Sequence, residues 1–337
     1  MKLIKTTLAT GIAAALALGV AGQANASVYA SSSLQIRDFK VAITADDVTN
    51  PIVGNPIQSF AFNLTNTATL NGSNAVQSGN CSGTLVLNTC GGTPSLDAAP
   101  ANAPGGSIVR ANNDFSFFGP GMNTYANSDS VIDTSELGNG VPSSTRQIAE
   151  SELQSTGNGS SNSEIKSNTG FKFVFSVASG TASLKLSFDA DPSLYAEINQ
   201  LGFDNGAAQA NLNATFSLTK NDGSAEVNWT PNGNPANDCT VDGPASLTCS
   251  EDADTEDLNR NISVSSNPAL APYSRAAGWS LMGITVDGLE EGEWSLAFNA
   301  LTSSSVRVRT VPEPSALALL GIAIAGMGAV SRRRKLA

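Results

Sequence analysis

Residues 171–190 read Phe-Lys-Phe-Val-Phe-Ser-Val-Ala-Ser-Gly-Thr-Ala-Ser-Leu-Lys-Leu-Ser-Phe-Asp-Ala. Phe171, Phe173, Phe175 and Val177 occupy odd positions against Lys172 and Ser176, the period-two signature of a half-buried strand. Past Ser179-Gly180 the apolar set moves to even positions, Leu184, Leu186 and Phe188. That change of parity across a Ser-Gly step predicts a hairpin with both apolar faces turned the same way. A second hairpin follows: Leu212, Ala214, Phe216 and Leu218 alternate, Asn221-Asp222-Gly223 turns, and Val227 and Trp229 return. Between the two, Asp191-Pro192 has the form of a cap and first-turn proline, which predicts a short helix through Tyr195 and Ile198.

Outward from this stretch the same alphabet recurs. Leu34 and Ile36 share one parity and Phe39, Val41 and Ile43 the other, so a bulge or bend is expected at Arg37-Asp38. Phe60, Phe62 and Leu64 form another strand. From about 66 to 169, Asn, Ser, Gly, Thr and Pro dominate, with apolar islands at 85–87, 108–109 and 115–118. Such composition buries little apolar area, and long loops linking short strands are expected there. Ser144 to Gln154 reads as a short surface helix capped by Ser144, with Glu150 and Glu152 on its solvated side. Residues 231–257 form a polar excursion. Trp279 and Leu281 precede Ile284 and Val286 on the opposite parity, with Gly283 as a bulge. A turn and strand over 289–298 and the pair Val306 and Val308, opposed by Arg307 and Arg309, complete the body.

Many short alternating strands with Gly and Asn turns predict an all-β body, an antiparallel sandwich or jelly roll over residues 27–310. Whether it holds one domain or two is open at this level. The aromatics serve the core. Those in loops, Phe117, Phe118, Tyr125 and Tyr273, are the candidates for stacking on a sugar ring.

The two ends have a different character. Lys2 and Lys5, an apolar run from Leu8 to Val20 and Ala24-Asn25-Ala26 form a secretory leader, residues 1–26, cleaved before Ser27. Setting the ends aside leaves a body with 12 basic and 28 acidic residues, a formal charge of −16. That field opposes nucleic-acid binding and favours solubility outside the cell. Four cysteines permit three pairings. The local one, Cys81–Cys90 and Cys239–Cys249, closes the shortest loops and suits an oxidising compartment. Zinc needs tighter cysteine spacing, usually with histidine, and the chain has no histidine.

Absence of histidine removes the usual nucleophile–base systems, and no phosphate-cradling Gly-rich loop ending in Lys-Ser/Thr occurs. Two carboxylates could hydrolyse a glycoside, but 28 acids make some pair unavoidable. The chain therefore reads as a non-enzyme. The run Asp252-Ala253-Asp254-Thr255-Glu256 places oxygen ligands at alternate positions, as calcium loops do. It lacks the central Gly, and Ser263 stands where an EF-hand has its twelfth-position Glu. A solvated acidic loop is the simpler reading and calcium at Asp252, Asp254 and Glu256 the alternative; no other cofactor is expected.

At residues 311–337, Val311-Pro312-Glu313-Pro314 is followed by 15 uncharged residues from Ala316 to Val330 and by Arg332-Arg333-Arg334-Lys335. This order resembles the PEP-CTERM sorting signal of bacterial proteins handled by a membrane-embedded exosortase. The resemblance implies a Gram-negative host and secretion through Sec and signal peptidase. The precursor would be held in the inner membrane by a single transmembrane sorting helix, its basic end in the cytoplasm, and exosortase would cleave near Pro312-Glu313-Pro314. It implies a surface or extracellular-matrix protein associated with biofilm and exopolysaccharide. A carbohydrate-binding β-sandwich, calcium-assisted, is the alternative, and a glycoside hydrolase stands behind both.

Overall fold

The computed structural model describes residues 27–46, 57–84, 89–90, 95–134, 144–154, 160–199, 205–234, 236–265, 269–272 and 278–309. The expected leader, the sorting tail with its expected transmembrane helix, the apolar island at 85–87 and Tyr273 lie outside these residues. Every regular element described is a strand, and every pairing is antiparallel.

Two long strands carry the architecture, β7 (Ser160–Asn199) and β14 (Ser280–Arg309). They pair from Ser160↔Arg309 to Ala190↔Ser280. Inward side chains on β7 are odd-numbered through Val177 and even-numbered from Ala182. The parity change is therefore real, but no hairpin forms at Ser179-Gly180. The strand turns a corner there, exposed at 178–180, with Gly180 at φ 70°. β14 turns beside it, with register shifts at Val286/Leu289 and Glu290/Gly292 and positive φ at Gly288 and Gly292. The turn expected within 289–298 is thus also a corner. Extra residues flip parity whether the chain reverses or only bends, so alternation by itself does not separate the two.

Because both strands bend at one level, their ladder folds over and makes two layers. In the first, β3 (Ser73–Gly83), β2 (Ile57–Leu70), the first half of β7, the second half of β14, β8 (Asn205–Lys220), β9 (Glu226–Trp229) and β10 (Cys239–Asp242) lie side by side. In the second, β11 (Thr248–Asp254), the first half of β14, the second half of β7, β1 (Ser27–Ala45), β6 (Ser144–Gln154), β5 (Tyr125–Asp133) and β4 (Ser95–Asn102) follow. β12 (Asn261–Val264) pairs with β8 and β13 (Ala269–Pro272) with β7.

The layers meet through aromatic rings. Phe188 of the second layer stacks on Phe216 of the first at 5.2 Å, and Phe39 meets Phe171 edge-on at 4.8 Å. A smaller apolar cluster at the other end gathers Val28, Leu153, Ile165, Ile198, Val306 and Val308. Between them runs a buried polar belt. Ser130 and Ser167 donate to Asn66 Oδ1, Asn66 Nδ2 donates to the carbonyls of Ala98 and Ala99, and Ser151 meets Ser304 across the layers at 3.2 Å.

That belt explains the strands of the polar region. β5 and β6 bury the small polar side chains Asn127, Ser128, Ser130, Thr145 and Ser151, and Ser130 and Ser151 reach Asn66 and Ser304 in the facing layer, so low hydropathy does not keep these segments out of the sheet. Ser144–Gln154 is strand β6, paired on both sides by β1 and β5, and not the expected surface helix. The expected helix at Asp191-Pro192 is likewise strand. Pro192 pairs with Leu34 on one side. On the other it falls between Ala190, which faces the first residue of β14, and Tyr195, which faces the last residue of β13.

Other expectations match the structure. The β8–β9 hairpin pairs Phe216 with Trp229 and turns through Gly223 at φ 76°. β1 shifts register between Arg37 and Lys40, with Asp38 at φ 53°. Near Gly283 the bulge sits instead on the partner strand, between Glu251 and Ala253. A Cβ at Gly283 would stand 2.9 Å from the Leu186 carbonyl oxygen, so close backbone approach explains that glycine. Trp279 and Leu281 face outward, and the Arg37 guanidinium lies 4.2 Å above the Trp279 ring.

Candidate functional site

Strand β10 is an edge of the first layer and β11 an edge of the second, and the Cys239–Cys249 disulfide ties them together. The Cys81–Cys90 bridge fastens β3 to the chain that follows it. Beside the Cys239–Cys249 bridge three carboxylates converge: Asp238, just before β10, and Glu251 and Asp254 on β11. One ligand oxygen from each lies within 4.8 Å of the others.

Fixed donors take one oxygen of Glu251 and one of Asp254. Trp229 Nε1 donates to Glu251 Oε1 at 2.6 Å, and the backbone N–H groups of Asn232 and Gly233 donate to Asp254 Oδ2 at 3.0 and 3.1 Å. Gly233 holds φ 73°, and a Cβ there would come within 2.9 Å of the Asp257 nitrogen. Left over are Asp238 Oδ2, Glu251 Oε2 and Asp254 Oδ1, each shielded from solvent and without a hydrogen-bond partner. Burial pushes the Asp254 carboxyl up to about 6. The Glu251 and Asp238 charges add to that rise, against the lowering by the two backbone donors.

Three converging carboxylates, each with one unpartnered buried oxygen, suit a hard divalent cation. Calcium takes six to eight oxygen ligands at about 2.3–2.6 Å, with water completing the set. Soft metals are poorly served, because the nearby sulfurs are locked in a disulfide and no imidazole exists.

Of the residues singled out in the acidic run, the structure brings only Asp254 to this trio. Asp252 turns away to accept a hydrogen bond from Thr285 and pair with Lys185 Nζ at 3.2 Å. Glu256 is buried against Ser280 Oγ at 3.4 Å. Strict alternation would have put 252, 254 and 256 on one side. The bulge between Glu251 and Ala253 breaks that alternation and sets Glu251, three residues away, beside Asp254. Asp238 escapes a reading by local spacing, yet a signal for it exists. The Cys239–Cys249 pairing carries residue 238 to the neighbourhood of Glu251.

A second charged cluster lies on the outer face of the second layer, under the irregular segment 103–124. Glu150 of β6 forms an ion pair with Arg110, both side chains fully buried. It also accepts from Tyr29 Oη at 2.7 Å and from the backbone N–H groups of Phe118 and Gly119. Arg110 Nη1 reaches the carbonyls of Asp114 and Ser116, and its guanidinium lies 4.3 Å over the Phe118 ring. Glu152 takes the N–H groups of Gly121 and Met122, and burial raises its pKa. Asp129 takes the N–H of Asn113, and burial lifts its carboxyl to about 6. Desolvation, helped by the Glu150 charge, raises the Tyr29 and Tyr125 hydroxyls. This network has the chemistry of an anchor, since its carboxylates spend their lone pairs on the segment's own backbone. Among the loop aromatics, Tyr125 is buried and meets Phe118 edge-on at 5.6 Å, whereas Phe117 is exposed.

Ser27 opens β1, buried and paired with Gln154 and Asn199. Ala24 and Ala26, Val311 to Pro314 and Arg332 to Arg334 lie outside the described residues.

A family model described as the PEP-CTERM protein-sorting motif matches residues 310–335. The chain therefore carries that motif, which directs exosortase-dependent sorting of an exported protein to the cell surface. No curated protein matches the chain. Among solved structures, a match is a structure of infectious bursal disease virus Gx strain, 12% identical over 87% of this chain and 67% of that one. Its TM-score of 0.08 carries no argument about the fold.

Proposed function

We propose that the chain is a non-catalytic surface or extracellular-matrix component of a Gram-negative bacterium that makes exopolysaccharide. A leader at residues 1–26 exports it and an exosortase processes it. The observation that carries this reading is the sorting motif at 310–335. The disulfide-tied, acidic, all-β body agrees with life outside the cytoplasm. In the native host, replacing Pro312, Glu313 and Pro314 together by alanine is expected to strand the protein in the inner-membrane fraction. An unchanged surface population would overturn the proposal.

A second reading concerns the open edge. The unpartnered oxygens of Asp238, Glu251 and Asp254 favour a calcium ion that joins β10 to β11 next to the disulfide. The role is structural: the ion neutralises three carboxylates that otherwise repel, and it adds to the Cys239–Cys249 disulfide and the Asn232↔Asp257 bridge in holding this edge together. A body held this way could present its loops to polysaccharide, and co-sedimentation with the host's polysaccharide in the presence of Ca²⁺ is the matching assay.

A further inference from the structure

The two ends of the body leave from one pole of the sandwich. β14 ends at Arg309, paired with Ser160 at the start of β7 and Asn205 at the start of β8. β1 begins at Ser27, paired with Asn199 at the end of β7. Gly206 joins the two layers here. It pairs with Val308, and a Cβ on it would lie 3.2 Å from Val28 Cγ2 and 3.5 Å from Ile198 Cδ1. Val28, Ile198, Val306 and Val308 accordingly share the smaller apolar cluster.

Almost no linker separates this pole from the sorting motif. Thr310 alone stands between Arg309 and Val311. At no more than about 3.6 Å per residue, Pro312 lies within about 11 Å of the last strand residue.

Charge is distributed unevenly along the same axis. At the opposite pole, around the β8–β9 turn and the β14 corner, stand Asp222, Glu226, Asp287, Glu290, Glu291 and Glu293, with Lys220 pairing to Asp222 and Glu290. Near the Arg309 pole the described charged side chains are mixed. Arg307 is exposed, Glu164 pairs with Lys166, and Glu197 accepts from Tyr195 Oη. An anionic lipid surface repels the first pole and tolerates the second.

We infer that the precursor docks on the anionic bilayer through the pole formed by Ser27, Asn199, Gly206 and Arg309, with the acidic corner pole pointing away. The inference rests on the sorting tail entering the membrane, and it adds an orientation that the motif by itself does not supply. With only residues 310–315 between Arg309 and the apolar run that starts at Ala316, a reach of no more than about 25 Å, the Arg309 pole is the part of the body kept next to the headgroups. The leader read at residues 1–26 leaves Ser27 at this same pole.

The test uses the tail-bearing chain reconstituted in phosphatidylethanolamine–phosphatidylglycerol vesicles. One variant carries a fluorophore on Asn162→Cys, near the Arg309 pole, and another on Glu291→Cys, at the corner pole; both sites are exposed. A quencher attached to lipid headgroups is expected to quench the Asn162 label several-fold more strongly than the Glu291 label. A Gly/Ser spacer of about 20 residues after Thr310, with a root-mean-square span of about 25 Å, should erase most of the difference. Equal quenching without the spacer, or stronger quenching at Glu291, would overturn the orientation while leaving sorting intact. A chain that fails to float with the vesicles would overturn membrane entry itself, and the orientation with it.

Discussion

Replacing Glu150 by alanine is expected to destabilise the body by about 3–5 kcal/mol, the usual cost of removing one partner from a buried ion pair. The variant strands the Arg110 guanidinium where it has no solvent. It also removes the acceptor for Tyr29 Oη and the N–H groups of Phe118 and Gly119. At about 2–4 °C per kcal/mol, the melting temperature falls by on the order of 10 °C. Segment 103–124 should loosen before the rest, because Glu150, Glu152 and Asp129 tie it to the sheet. Limited proteolysis at Phe117 and Phe118 reads this directly. Glu150→Gln keeps an acceptor for the backbone groups but not the charge. In that background Arg110→Met should cost less than it does alone, because the guanidinium has already lost its counter-charge. Unchanged melting and unchanged cleavage in Glu150→Ala would refute the anchoring role.

The second large effect is expected from calcium. At a concentration about 100-fold above its dissociation constant, an ion that binds only the folded state contributes about 2.7 kcal/mol. That corresponds to a rise in melting temperature of about 5–10 °C. Asp254→Asn should abolish the response. It should also raise the melting temperature of the ion-free protein at neutral pH, because it removes one of three repelling charges.

The pH dependence has a definite sign. Folding raises the Asp254 carboxyl to about 6, so between the ordinary aspartate range and pH 6 the folded state binds the proton more readily than the unfolded chain. The ion-free protein therefore gains stability as pH falls through about 6 and loses it as pH rises back. Calcium competes with that proton, so its effect is full above pH 6 and fades below. Asp129, also raised to about 6, acts in the same direction, and the difference between parent and Asp254→Asn isolates the trio. A parent protein insensitive to millimolar calcium at pH 7.5 would dispose of the cation site.

What the sequence discloses and what it hides both follow from the range of the interactions involved. Period-two alternation reports local burial, so the strands at 34–43, 60–64, 171–188 and 212–229 are legible, as is the bulge at Arg37-Asp38. Parity flips report extra residues but not direction, so the corners at 178–180 and 286–292 pass for hairpins. β6 is the larger miss. Glu150 and Glu152 look like a solvated helical face, because what buries them is a covering segment more than 25 residues upstream, whose backbone supplies their hydrogen bonds. The carboxylate trio is partly legible. The acidic run marks β11, but the bulge that picks Glu251 over Asp252 and the arrival of Asp238 from β10 are tertiary events. The sorting motif at 310–335 is legible because such a signal is read as a linear string, with no fold in between.

The body is expected to be released from its tail by processing at the sorting motif. Intact-mass and C-terminal peptide mass spectrometry of the surface form tests it most directly. The expected result is a mature chain ending near Pro312-Glu313-Pro314, without Arg332–Lys335. A surface protein that still carries Arg332-Arg333-Arg334-Lys335 would contradict the account.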